Sequence, residues 1–517
     1  MTHTGSTPRV LGFLASGLLC LLPVAGRTAS PPTPCGGLAR LALPHATVTL
    51  AEQVAADKFR APPHGLDLFP AFNLAGALEQ GSNPAFCRVT ATLKPSADSD
   101  VRIEVWLPQS GWNGKLLGVG SFGWGGAIMY AGLLAGVQEG YAVANTDTGH
   151  QGGDGRFALG HPEKLIDYAH RAVHEMTVDA KAIVEAFYGF APSRSYWVGC
   201  SLGGLEGLVE AKRYPADYDG IVVGAPPNPI VRFNALQLWP SWLIRQSPSR
   251  QIPRDKYAMV HQAVVKACAS PTGQEEDLVD EPGACRFDPR SLQCRGADGP
   301  DCLTAPQVDL LLQTYAGPVN PRSKEIIFPG PARGAELEMV PFGGDQPMPV
   351  ALDLFRYAAF QDPAWDAGAM DWDKDVASAV QKLGPLMHVD ADLGPFLDRG
   401  GKLLLYIGWT DFHNPEELFG YYRALLERGG AKARGAVRLF AVPGMAHCAG
   451  GQGCDTFDKL GAIDDWVEHG EPPERLVASR VEDGMVVRRR PLCAYPAVAR
   501  YRGAGDTRDA GSFGCVR

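Results

Sequence analysis

Two residues capable of acyl-transfer chemistry each sit beside a cysteine. Ser201 lies in Gly199-Cys200-Ser201-Leu202-Gly203-Gly204, and His447 lies in Pro443-Gly444-Met445-Ala446-His447-Cys448. A serine hydroxyl is a poor nucleophile until a base takes its proton, and an imidazole is suited to that task near neutral pH. If Cys200 and Cys448 are joined, the bridge ties nucleophile to base through the backbone. The chemistry expected of this constellation is hydrolysis of an ester through a covalent serine intermediate, in an exported protein.

Gly199 to Gly203 fits G-x-S-x-G, in which glycines permit the sharp strand-to-helix turn that pushes a serine out at a sheet edge. Asp411 follows the apolar run Leu403 to Thr410, at a strand end, and is the acid expected to orient His447. The chain order Ser201, Asp411, His447 is that of the α/β-hydrolases. His413 is near enough to Asp411 to compete, but it shares the loop of the acid and suits the role less well. The oxyanion formed during acyl transfer needs two donors. The backbone amide of Leu202 is expected to be one, and the glycine-rich loop Gly120 to Gly126 to supply the other from Gly123, with Phe122 as the nearest rival.

These residues require a scaffold that delivers them to one edge. Val101 to Leu107 alternates as a strand with one polar face, and Lys115 to Val119 and Tyr141 to Asn145 read as buried strands. Ala172 to Tyr188 reads as an amphipathic helix, with Val173, Met176, Ala180, Ile183, Val184 and Phe187 on one face. Ser195 to Val198 is a strand, Leu202 to Lys212 a helix and Gly220 to Val223 a strand. This alternation predicts an α/β fold: an α/β-hydrolase core with a parallel sheet covered on both faces. The rhythm stops after Pro226 and resumes at Lys402 to Ile407 and Val437 to Val442. The intervening stretch is rich in proline, glycine and aromatic residues. It is read as a large inserted lid domain over 228–387, with 30–227 and 388–517 forming the catalytic domain.

The 517 residues carry a formal charge of −9, and 45% are hydrophobic, values of an ordinary soluble protein with no basic footprint for nucleic acid or an anionic membrane. The 61 glycines and 42 prolines imply many turns rather than a helical bundle. Arg9, the apolar run Val10 to Ala25 and the small residues Ala25, Gly26, Ala29 and Ser30 read as a cleaved signal peptide over 1–29, hence a secreted or periplasmic protein with no membrane partner after cleavage. Of the twelve cysteines, Cys20 falls in this signal. An odd number then remains, so at least one stays unpaired.

The stretches 141–150 (YAVANTDTGH), 214–226 (YPADYDGIVVGAP) and 443–451 (PGMAHCAGG) resemble motifs of the tannase and feruloyl esterase family, which also includes mono(hydroxyethyl) terephthalate hydrolase. The resemblance runs from about Cys35 to Cys515. It implies a triad of Ser201, Asp411 and His447. It also implies the pairing Cys35–Cys87, Cys200–Cys448, Cys268–Cys285, Cys294–Cys302 and Cys493–Cys515, which leaves Cys454 free. The family carries more glycine in the 120–126 loop, so Phe122 and Trp124 are expected to crowd the acyl side. A family calcium site maps, without gaps, onto Ala269, Thr272, Gln274, Glu276 and Leu278. Ala269 and Thr272 stand where the family has aspartates, and calcium gains affinity from carboxylates. This depleted set leaves a structural calcium open, with the Cys268–Cys285 bridge as the alternative hold on the loop. The lid is expected to cover Ser201 and supply substrate contacts from Trp239, Trp242, Arg356 and Phe360, the last two sharing a helix face at a spacing of four.

The function implied is a carboxylesterase for esters of hydroxycinnamic, gallic or terephthalic-type acids that needs no organic cofactor, its partner being the small aromatic ester. The alternatives are a serine peptidase or amidase on the same fold, and a catalytically silent polyphenol- or carbohydrate-binding protein.

Overall fold

The computed structural model describes residues 1, 2, 5, 31–62, 83–268 and 278–517. The signal peptide read over 1–29 falls almost wholly outside the described residues. The strands of the main sheet are β1 (Ala46–Val54), β2 (Phe86–Leu93), β3 (Val101–Pro108), β4 (Lys115–Val119), β5 (Ala142–Thr146), β6 (Arg194–Cys200), β7 (Gly220–Gly224), β8 (Lys402–Gly408) and β9 (Val437–Val442). They lie in the order β1-β2-β3-β5-β4-β6-β7-β8-β9. From β5 through β9 all neighbours are parallel. β1, β2 and β3 pair antiparallel and join the sheet antiparallel to β5. The parallel sheet expected of the core is present from β4 to β9, and an antiparallel edge of three strands extends it. For β2 and β3 the reason is connection length: residues 94–100 join them, too few for the crossover that parallel neighbours need.

Helices cover both faces, as parallel strands require. On one side α1 (Tyr130–Gln138) contributes Leu133 and Leu134 to a core. The other side is larger. There α2 (Ala172–Tyr188) places Met176, Ile183 and Val184 against the sheet, and α3 (Leu202–Arg213) adds Leu205 and Leu208. The limits of α2 match its periodicity, and it stops where Gly189 takes the left-handed φ of 86° that a helix C-cap favours.

β7 and β8 are neighbours in the sheet, yet the chain between them forms a long excursion. It contains α4 (Ile230–Gln246), α5 (Lys256–Cys268), α6 (Ala305–Ala316) and α7 (Lys374–Met387), and no strand of the main sheet among its described residues. After β8 the chain forms α8 (Pro415–Ala436), whose Leu418 and Phe419 join the larger core. After β9 comes α9 (Lys459–His469), whose Ile463 and Trp466 join the first. Two short hairpins close the chain: β10 (Arg475–Glu482) with β11 (Met485–Cys493), and β12 (Val498–Tyr501) with β13 (Phe513–Val516). Among the described residues no helix is long and apolar enough to cross a membrane.

Candidate active site

Ser201 follows the last residue of β6 and immediately precedes α3. Its backbone sits at φ 60°, ψ −124°, a conformation L residues rarely adopt, so the turn is sharp. Close backbone approach explains the flanking glycines. A Cβ on Gly199 would meet the Gly203 carbonyl oxygen at 2.2 Å, and one on Gly203 would lie 2.9 Å from the Gly120 Cα. The turn is thereby packed against the 120–126 loop, and the Gly203 amide donates to the Ser121 carbonyl at 2.8 Å.

That loop is fixed from below. Ser121 donates its amide to Glu206 Oε2 at 2.9 Å, and Tyr168 donates its hydroxyl to the Gly123 carbonyl at 3.0 Å. Gly123, at φ 56°, and Leu202, the first residue of α3, line one cavity with Ser201. Phe122 and Trp124 line it too.

Glu206 is 3% exposed, and its Oε1 meets no protein partner. Burial pushes its carboxyl up to about 7, against the lowering effect of the Ser121 amide. A raised acid pKa means the folded state holds a proton that the unfolded state releases. Stability from this group is therefore full below about pH 4.5 and is lost as pH rises towards 7. The loss amounts to roughly 3 kcal/mol. Glu206→Gln, neutral and nearly isosteric, is expected to flatten that part of the stability profile, read as Tm between pH 4.5 and 8. An unchanged slope would contradict the raised pKa.

Asp411 lies three residues beyond the end of β8, and His447 five beyond the end of β9, the next strand over. His447 Nδ1 lies 3.0 Å from both carboxylate oxygens of Asp411. Asp411 is fully buried, and His447 is 7% exposed. A carboxylate only accepts, so His447 Nδ1 carries the proton that faces Asp411. His413 is differently employed. Its Nδ1 donates to the Ala225 carbonyl at 2.8 Å, and its backbone amide donates to Asp411 Oδ1 at 2.7 Å. Its ring lies 4.0 Å from that of His447. Burial first, and then the neighbouring His447, hold His413 well below the ordinary histidine range. The carboxylate thus faces His447, and the rival imidazole is kept neutral.

Cys200 and Cys448 are bonded, with α-carbons 5.9 Å apart and a sequence separation of 248. In the chain-entropy account a loop of that size is worth on the order of 5 kcal/mol. The bridge also joins the backbones beside Ser201 and His447. The other four expected pairs are present as well, and Cys454 is free and buried.

Ser201, His447 and His413 line the same cavity, whose walls are otherwise mostly apolar: Ile230, Phe233, Met348, Val350, Leu354 and Phe412. A hydroxyl at a strained turn, a carboxylate-paired imidazole and two nearby amides are the parts required for acyl transfer.

The four expected lid contacts are elsewhere. Trp239 stacks on Trp242 at 5.3 Å, meets Trp372 edge-on at 4.8 Å and donates its indole N–H to the Gln313 carbonyl. Arg356 donates to the Trp365 carbonyl at 2.8 Å, and Phe360 packs on Trp365 and under the Lys382 ammonium. None of the four lines the cavity at Ser201. They pack within the excursion between β7 and β8, because large aromatic surfaces and a long arginine stem gain more from burial than from an open wall. Asn234 and Gln237, both on α4, line the cavity instead, and sequence reasoning missed them. The signal available was two amides three residues apart in a mostly apolar helix.

Four of the five calcium positions, Ala269, Thr272, Gln274 and Glu276, lie outside the described residues. Leu278 is described and is a buried apolar residue. Among the described residues, His174, Glu210 and Asp217 also bring donor atoms within 4.8 Å of one another. His174 Nδ1 is already bonded to Asp217 at 2.6 Å, so a proton bridges that pair.

This fold with this site defines a carboxylic ester hydrolase on an α/β-hydrolase-like core. The chain belongs to the tannase and feruloyl esterase family, whose model matches residues 87–343 and 350–516. It is 36% identical to an uncharacterized esterase of Xanthomonas campestris pv. campestris, over 95% of this chain and 92% of that protein. It is 30% identical to a probable feruloyl esterase B of Emericella nidulans, over 83% of this chain and 86% of that one. The crystal structure of feruloyl esterase B from Aspergillus oryzae superposes with a TM-score of 0.84 at 26% identity, covering 93% of this chain and 99% of that one. Tannin acyl hydrolase from Aspergillus niger shares the fold, with a TM-score of 0.77 at 19% identity over 95% of this chain and 93% of that one.

Proposed function

We propose that this protein is a secreted or periplasmic serine carboxylesterase that hydrolyses esters of aromatic acids through an acyl-enzyme. Ser201 Oγ attacks the ester carbonyl carbon as its proton passes to His447 Nε2. Asp411 orients the imidazole and stabilises its cationic form. The amides of Leu202 and Gly123 face the developing oxyanion. The tetrahedral species collapses, and the alcohol leaves with the proton from His447. Water, deprotonated by His447, then attacks the acyl carbon, releases the acid and restores Ser201. The chemistry needs no organic cofactor, and the excursion between β7 and β8 serves as the lid that shapes the acyl pocket.

The observation that carries this reading is the His447–Asp411 pair lining, with Ser201, one apolar cavity. A mostly apolar wall with few polar groups suits an aromatic acyl group. The relatives named feruloyl esterase B support the same substrate class. Export is supported by five disulfides, which persist in oxidising compartments. The test is hydrolysis of methyl cinnamate beside cinnamamide. The ester is expected to turn over and the amide to remain intact. Comparable cleavage of both would favour an amidase.

A further inference from the structure

A separate group of donor side chains lies towards the far end of α3 from the nucleophile and takes no part in acyl transfer. His174 on α2, Glu210 on α3 and Asp217, in the loop from α3 to β7, bring one donor atom each within 4.8 Å of one another. Glu210 stands roughly two and a half helical turns beyond Ser201, about 13 Å along the axis. It is 1% exposed, and neither of its carboxyl oxygens meets a hydrogen-bond donor among the described residues. Burial first, and then the charge of Asp217, push its pKa well above the usual carboxylate range. Asp217 is 8% exposed and is bonded through Oδ2 to His174 Nδ1 at 2.6 Å. Apolar side chains of the same volume are often as stable in such a place, so two carboxyl groups and an imidazole gathered there call for a ligand.

We propose that His174, Glu210 and Asp217 bind one divalent transition-metal ion of the zinc type, which ties α2, α3 and the approach to β7 together away from the catalytic cavity. The donor set decides the class. One imidazole nitrogen with two carboxylate oxygens suits zinc, whereas calcium wants a larger shell of oxygens and magnesium an octahedral one. Three protein ligands and a water complete the tetrahedral shell that zinc favours. The ion takes the place of the proton between His174 and Asp217 and of the one on Glu210, both of which pass to solvent. Two carboxylates then balance its charge. The Lys181 ammonium donates to the Asp217 backbone carbonyl and leaves the carboxylate to the ion. Donor atoms around a tetrahedral zinc stand about 3.3 Å apart, so the 2.6 Å pair opens by roughly 0.7 Å while the wider separations close. The His174 ring stacks on Tyr214 at 3.8 Å and 7°, a contact that permits sliding in the ring plane. Its side chain is 29% exposed, which gives the ion a path from solvent.

The test takes the full chain, freed of metal by chelation and dialysis, and titrates it near neutral pH with zinc chloride alone. Binding is read by calorimetry, stability as Tm, and activity on p-nitrophenyl butyrate. Wild type should bind one ion per chain with a Kd on the order of micromolar or tighter. Its Tm should rise by about 2 °C or more when free zinc exceeds that Kd a hundredfold, and its rate of hydrolysis should stay unchanged. Glu210→Gln and His174→Asn should each weaken binding by about tenfold or more, the least that even changes behind a metal's ligands cost. No saturable binding, or affinities in both folded variants within about twofold of wild type, would overturn the proposal. Asp411, His413 and His447 also bring donor atoms within 4.8 Å of one another. Inhibition that follows the binding curve would place the ion there and overturn the proposal as well. Should either variant fail to fold, anomalous diffraction at the zinc edge from a wild-type crystal soaked in zinc chloride decides. A peak should lie about 2.0–2.2 Å from one donor atom of each of the three residues. Peaks only at other places overturn the assignment.

Discussion

Alanine at position 201 is expected to lower kcat on an aromatic methyl ester by about 10⁶-fold, the loss typical of removing the nucleophile from a triad. Ser201 is held at φ 60° by the packing of Gly199 and Gly203 against their neighbours. Alanine meets the same backbone demand as serine, so the turn survives and only the oxygen is lost. Residual hydrolysis over water would come from the Leu202 and Gly123 amides and from substrate binding. Tm and far-UV circular dichroism should match wild type, which separates lost chemistry from lost structure. A variant keeping a tenth of the activity would remove Ser201 from its role.

Asp411→Asn is expected to cost about 10⁴-fold in kcat, the scale seen when a triad acid is made neutral with its geometry kept. Asp411 accepts from His447 Nδ1 and also from the His413 backbone amide at 2.7 Å. An asparagine that keeps its oxygen towards the His413 amide turns its NH₂ group towards His447. That group, placed where Oδ2 lies 3.0 Å from Nδ1, favours the tautomer with a lone pair at Nδ1 and the proton on Nε2, where a general base needs the lone pair. The carboxylate charge that stabilises the imidazolium is lost as well. His413 cannot substitute, because its Nδ1 is committed to the Ala225 carbonyl and its surroundings disfavour protonation. A loss smaller than tenfold would mean that Asp411 is not the orienting group.

Local rules made much of the catalytic half legible. The glycines around Ser201 are demanded by backbone contacts at the turn itself. Strands buried on both faces leave an apolar run that needs no tertiary context to be read, and β9 lies where its run places it. The antiparallel edge was harder to read. β1 carries polar residues and is half exposed, so its burial is weakly patterned.

The excursion between β7 and β8 resisted for a different reason. α4 is buried on nearly every side, from Ile230 to Ile244, so its sequence has no polar face to show direction. Pro240 lies within it, Pro385 lies within α7, and a helix with an internal proline does not announce itself. Trp239, Trp242, Arg356 and Phe360 have the side chains that often meet ligands, but tertiary packing turned the first two towards Trp372 and the last two towards Trp365. Asn234 and Gln237 reach the cavity through the placement of α4 beside Ser201 and His447, a relation that sequence spacing does not contain.

The central claim is that catalysis passes through an ester on Ser201, and trapping that ester tests it most directly. Wild-type protein quenched in acid during turnover of a slowly deacylating aromatic p-nitrophenyl ester, then digested and mapped by mass spectrometry, should carry one acyl group per chain, on the peptide containing Ser201. The burst of nitrophenol should match the amount of adduct. An acyl group on another residue, or full turnover with no acyl-enzyme and no burst under conditions where deacylation is rate-limiting, would contradict the account.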